Sequence, residues 1–90
     1  MKRFAIGAAL CLTAAYPVTA LAKADCKANP KAEWMSEAEA KGKIVAQGYT
    51  IARFKVDGDC YEIYGKNKDG KNVEIYFDTK TLDVVKTEMK

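Results

Sequence analysis

The residues best placed to do chemistry are few. The 90-residue chain contains no histidine, which removes every imidazole-based triad, metal set and general acid–base arrangement. Three cysteines remain to be explained. Cys11 lies inside an N-terminal apolar run, whereas Cys26 and Cys60 stand in polar surroundings 34 residues apart. Two thiols without a histidine make a poor zinc site, because zinc takes four ligands at characteristic spacing. An even pair in an exported chain reads instead as a disulfide. Closing that loop is worth ~3.5–4 kcal/mol on the chain-entropy account, which matters in a domain too small for its core alone to carry it.

The carboxylates offer little more. Glu37 and Glu39 open a helix, where capping explains them. A glycosidase-type pair needs two acids facing across a cleft, and a domain of this size has little cleft to offer. The turn Asn67-Lys68-Asp69-Gly70 superficially resembles a calcium loop. Aligning Gly70 with the required glycine puts Gly65 where the first aspartate belongs and Tyr76 where the bidentate glutamate belongs, so the pattern fails. No phosphate-cradling glycine motif is present. The expectation is a non-enzymatic protein with no catalytic residues, no metal and no cofactor.

Compartment follows from the first residues. Lys2 and Arg3 precede the apolar run Phe4 to Ala15, Pro17 breaks it, and Ala20-Leu21-Ala22 supplies small residues at the positions a signal peptidase reads. Residues 1–22 are therefore expected to be a cleavable signal peptide cut after Ala22, with cleavage after Ala24 as the neighbouring option. Cys11 is not preceded by a lipoprotein signature and leaves with the signal. The mature chain, 23–90, is expected in the periplasm or outside the cell, with no stable membrane anchor. Fifteen basic residues stand against 12 acidic ones, and losing Lys2 and Arg3 brings the net charge to about +1. Interleaved charges of that balance argue against nucleic acid, which needs a clustered basic face.

These residues need elements to hold them. Residues 23–33 show no period and contain Pro30, as a lead-in loop does. Ser36-Glu37-Ala38-Glu39 has the form of a capping box, Glu39 and Lys43 sit at helical spacing, and Gly48 suits a helix end. This predicts a helix over 36–47. Gly42 within it implies either tight packing or a close backbone approach. From 49 to 85 the pattern becomes that of strands, with Asp-Gly pairs at Asp57-Gly58 and Asp69-Gly70 marking hairpin turns. Alternation is irregular near Ala52, where a bulge is expected. A last short strand is expected over Leu82–Val85. The fold class is α+β: one α-helix packed on a three- to four-stranded antiparallel sheet, in a single small domain with one disulfide.

Alternation also assigns the faces. Trp34, Ala40, Ile44, Phe54, Val56, Tyr61, Ile63, Val73, Ile75 and Phe77 are expected in the core, with Leu82 and Val84 closing one edge. Trp34 is read as an anchor beneath the helix entry, or alternatively as a platform for a ligand. Tyr64, Tyr76, Glu62 and Glu74, with Arg53 or Lys55 beside them, fall on the opposite face. Tyr and Arg commonly anchor protein interfaces, so these are the candidate protein-binding residues. Cross-strand Tyr and Glu–Lys pairs that merely stabilise a solvated face are the plainer reading.

The segments Trp34-Met35-Ser36-Glu37-Ala38-Glu39-Ala40, Gly48-Tyr49-Thr50-Ile51, Cys60-Tyr61-Glu62-Ile63 and Lys68-Asp69-Gly70-Lys71-Asn72-Val73-Glu74-Ile75-Tyr76-Phe77-Asp78 together resemble a small exported PepSY domain. The likeness spans nearly the whole mature chain. Leu82 stands in the final turn where glycine is common in the family. The resemblance implies a helix-on-sheet module outside the cytoplasm that binds and regulates a protein partner, such as a secreted or periplasmic peptidase, with inhibition as one form of regulation. An envelope sensor or accessory module binding a small ligand or cell-envelope component, and a structural or antigenic surface protein, are the other readings. Oligomeric state is left open.

Overall fold

A computed structural model of the protein describes residues 24–90. The expected signal peptide, its cleavage after Ala22 and Cys11 lie outside the described residues. After a short 3-10 turn at Lys31–Glu33 come helix α1 (Glu37–Ala46) and four strands: β1 (Thr50–Asp57), β2 (Cys60–Lys66), β3 (Asn72–Asp78) and β4 (Val84–Met89). They form one antiparallel sheet in the order β1-β2-β3-β4.

Local chemistry explains the boundaries. Ser36 caps α1, its hydroxyl accepting from the Glu39 N–H at 3.1 Å. The Glu39 carboxylate reaches Lys43 at 3.9 Å rather than turning back. Gly48 then adopts φ +105°, a conformation that side-chain-bearing residues rarely take, and the chain turns into β1. Gly58 opens the two-residue β1–β2 turn at φ +61°, as the primed hairpin turns require. In the β2–β3 turn the Asn67 side chain accepts from the N–H groups of Asp69 and Lys71.

Gly42 has no neighbour within 4 Å of an added Cβ, so close approach is not why it is there. Alanine at an exposed helix interior is better by about 0.5–1 kcal/mol. Gly42→Ala should therefore raise the urea midpoint without changing the slope of the transition.

α1 buries Ala40 and Ile44 against the sheet face formed by Tyr61, Ile63, Val73, Ile75 and Phe77, with Leu82 completing the core. Tyr61 organises one end of it. Its ring stands edge-on to Trp34 at 5.5 Å and tilted to Phe54 at 5.0 Å, and its hydroxyl donates to the Met35 carbonyl. Trp34 and Phe54 are partly buried against this core. The bulge expected near Ala52 is present as a register shift between Ile51 and Arg53.

Two expectations need correction. Val56 is 44% exposed and Val84 is 49% exposed. They are the two ends of one cross-strand row, Val56, Tyr61, Phe77 and Val84, whose centre is buried while its ends, on the outer strands β1 and β4, are not. The last strand is Val84–Met89, not Leu82–Val85. Leu82 takes φ +64°, the conformation that glycine adopts freely, because its side chain is buried in the core. The turn is closed by Leu82 N–H to Asp78 and Asp78 N–H to Asp83, and only beyond it does the chain straighten.

Candidate functional site

The helix-free face of the sheet gathers every candidate binding residue. Strand register places Lys55, Glu62, Tyr76 and Lys86 in one cross-strand row. Arg53, Tyr64, Glu74 and Glu88 make the next. Alternation thus brings Tyr64, Tyr76, Glu62, Glu74 and Arg53 together as expected. It does not make them equally accessible. Glu62 is only 1% exposed, and Glu74 and Tyr76 are also buried. Tyr64 is half-buried and Arg53 exposed.

The long side chains of the outer strands account for this depth. Arg53 lies over the Tyr64 ring at 5.2 Å, and Lys55 and Lys86 stand 6.0 Å from the rings of Tyr64 and Tyr76. Lys55 approaches Glu62 at 4.0 Å, Lys90 pairs with Glu74 at 2.9 Å, and Lys86 pairs with Glu88 at 2.9 Å. What a partner would meet is therefore Arg53, Tyr64 and a canopy of lysines. Lys86, Glu88 and Lys90 were missed because the last strand was expected to end at Val85. The alternation of Lys86, Glu88 and Lys90 with Val85, Thr87 and Met89 is the signal that would have found them.

Beneath the canopy, Glu62 and Glu74 are neighbouring carboxyls. The Tyr76 hydroxyl donates to Glu74 at 2.8 Å, whereas an ionised Glu62 meets no hydrogen-bond donor at either oxygen among the described residues; only a protonated Glu62, donating to Glu74, is satisfied. Burial pushes the Glu62 carboxyl above its usual range, and the neighbouring Glu74 adds to it. Glu74 moves the other way, held at about 2 by hydrogen bonding with Glu62, against its own burial and helped by Lys90. Burial and hydrogen bonding to Glu74 raise the Tyr76 phenol. The arrangement suits one proton held by Glu62 and a negative charge on Glu74.

Linkage follows with opposite signs. The Glu62 contribution is full below the ordinary carboxyl value and is lost as pH rises through its raised one. The Glu74 contribution is full above the ordinary value and is lost as pH falls towards about 2. Melting temperature should peak in mild acid. Glu62→Gln supplies a permanent donor without a charge, so it should remove the decline on the alkaline side. At neutral pH it should stabilise by about 1–2 kcal/mol, the usual cost of an unsatisfied buried polar group. Thermal melts from pH 3 to pH 8 check this, and an unchanged slope in the variant would remove Glu62 as its source.

The opposite end of the sheet is tied down by the lead-in segment. Cys26 is bridged to Cys60 with a Cα–Cα distance of 5.5 Å. Asn29, buried, donates to Asp78 and to Thr79 Oγ1 at 3.0 and 3.2 Å. Trp34 Nε1 donates to the Asn29 carbonyl at 2.8 Å, and Met35 N–H to the Thr79 carbonyl at 2.8 Å. Burial would raise Asp78, but the backbone N–H groups of Thr81 and Lys80 outweigh it and hold the carboxyl below its usual range. Trp34 is thus an anchor built into the fold.

A cavity of about 470 Å³ opens at the far end of the helix-free face, lined by Thr50, Ala52, Tyr64, Lys66, Asn72 and Lys90 among others. Among the described residues, no three or more cysteine or acidic side chains gather as a metal site would require. No helix among them is long and apolar enough to cross a membrane.

No curated protein and no solved structure matches the chain. A family match does exist: the peptidase propeptide and YPEB domain, over residues 3–88. That span contains the helix, the bridged lead-in and almost all of the four-stranded sheet, and the chain belongs to this family, PepSY.

Proposed function

We propose that the chain is an exported, non-enzymatic PepSY module that binds a protein partner and regulates it, the partner being a secreted or periplasmic peptidase. The observation that carries this reading is the family match to a peptidase propeptide domain across nearly the whole chain. A propeptide acts by presenting a stable surface to a folded enzyme, and this domain has one. Arg53 and Tyr64 are opposite one another on paired strands, the guanidinium over the phenol ring at 5.2 Å, and Tyr64 is paired on its other side with Glu74. Pre-ordered aromatic and guanidinium groups lose little entropy on binding. Export is supported by the basic, apolar and small-residue order of residues 2–22 and by the Cys26–Cys60 bridge.

The test is inhibition of peptidases co-expressed in the same envelope or secreted fraction. Micromolar protein should slow at least one of them. Arg53→Ala combined with Tyr64→Ala should weaken that inhibition by about tenfold or more, as loss of interface anchors does. No slowing of any such peptidase would count against the regulatory role. Undiminished inhibition by the double variant would move the contact away from the helix-free face. The cavity beside Tyr64 favours a second reading, a sensor module for a small ligand or envelope component. In that case a ligand, and not a peptidase, should raise the melting temperature.

A further inference from the structure

β4 is an edge strand of the sheet, and among the described residues no strand pairs with its outer side. The Lys90 N–H donates inward to the Asn72 carbonyl. Backbone groups alternate in direction along a regular strand. The N–H and C=O groups of Met89 and Thr87 therefore point outward, away from β3, and the register shift that leaves Val85 unpaired with β3 ends the regular stretch. The side chains alternate too. Val85 and Met89 lie towards the helix side and are 39% and 58% exposed, while Lys86 and Glu88 lie on the other face.

We propose that β4 is a homodimerisation edge, two copies pairing antiparallel through β4 about a two-fold axis at Thr87. In that register Thr87 faces the partner's Thr87, and their outward N–H and C=O groups satisfy one another. Lys86 stands opposite the partner's Glu88, and Glu88 opposite the partner's Lys86. Val85 lies against the partner's Met89, and Met89 against the partner's Val85. Charged and apolar pairs match on their respective faces, as an isologous contact demands.

The charge order argues for a second copy of this chain over an arbitrary peptide. Edge strands usually carry charges that discourage pairing. Here one lysine and one glutamate flank the axis symmetrically, so the strand complements its own reversal and few others. β1, the other edge, has this order only about Val56, between Lys55 and Asp57, where the turn after Asp57 limits the overlap to three strand residues. The fullest overlap of its regular stretch, Arg53–Asp57, centres on Lys55 and sets that lysine against its own copy. Like charges directly opposite oppose pairing. A strand as short as β4 gives a weak, concentration-dependent dimer.

Sedimentation equilibrium of the purified, disulfide-bonded protein, up to about 1 mM, tests the proposal with two charge variants. The unaltered protein should self-associate reversibly. Lys86→Glu and Glu88→Lys should each weaken self-association by about tenfold or more, since each turns both symmetric charge pairs into like pairs. Mixing the two variants should restore a heterodimer, because one then carries two acids where the other carries two bases. Recovery on mixing would show that both variants are folded and that the axis lies at Thr87. A monomer throughout the range, variants that associate like the unaltered protein, or a mixture that stays monomeric would each overturn the proposal.

Discussion

Replacing Cys26 and Cys60 with serine should lower the melting temperature by roughly 15–30 °C. A 34-residue loop releases ~3.5–4 kcal/mol of unfolded-state entropy when it is opened. In a domain of this size each kcal/mol moves the melting temperature by about 4–8 °C. The consequence reaches beyond entropy. The bridge pins the start of the lead-in, and downstream of it lie Asn29, which binds Asp78 and Thr79, and Trp34, which packs on Tyr61. Untying Cys26 loosens the segment that closes this end of the core. Thermal melts with and without reductant should show the same loss in the unaltered protein as in the serine variant. A loss below about 5 °C would mean that the Asn29 and Trp34 contacts hold the lead-in without the bridge.

The second large effect belongs to a residue with no side chain. A Cβ built on Gly65 would lie 1.8 Å from the Thr50 carbonyl oxygen and 2.9 Å from its carbon. Both are backbone atoms of β1, so no rotamer change relieves the clash. The cause is the bulge between Ile51 and Arg53, which draws the β1 backbone across Gly65. Gly65→Ala must therefore displace the first residues of β1, at a cost of about 3 kcal/mol or more, at or above the usual range for overpacking. Amide exchange should localise the damage to Thr50 and Ile51, leaving the β2–β3 pairing protected. The contrast with Gly42→Ala is informative: the same substitution stabilises an open helix position and breaks a crowded strand position.

Much of this was legible in the residues themselves. The Ser36 cap, Gly48, the two Asp-Gly turns and the alternation of Tyr61, Ile63, Val73, Ile75 and Phe77 each act over a few residues. Local chemistry suffices to read them. The helix-free face was legible in the same way, since parity alone puts Glu62, Tyr64, Glu74 and Tyr76 on it. Their depth was not. Alternation says which way a side chain points and nothing about what lies over it. Glu62 is buried between Lys55 of β1 and Tyr76 of β3, and Tyr76 is in turn flanked by Lys86 of β4, a residue beyond the expected end of the last strand. Val56 failed for the converse reason, being correctly oriented but on an outer strand, at the open end of a row whose centre is buried.

What the chain determines locally, then, is the helix, the hairpins, the two faces and the pair of cysteines available for bridging. Each is set by neighbours within a turn of helix or a few strand positions. Tertiary structure decided the rest: that Leu82 would take a left-handed conformation to reach the core, that β4 would run to Met89, that Gly65 would lie under a bulged backbone, and that a carboxyl pair would sit beneath a lysine canopy. These depend on which strands become neighbours. Adjacency between residues far apart in sequence is settled by packing the whole sheet against one helix, not by the preference of any single residue.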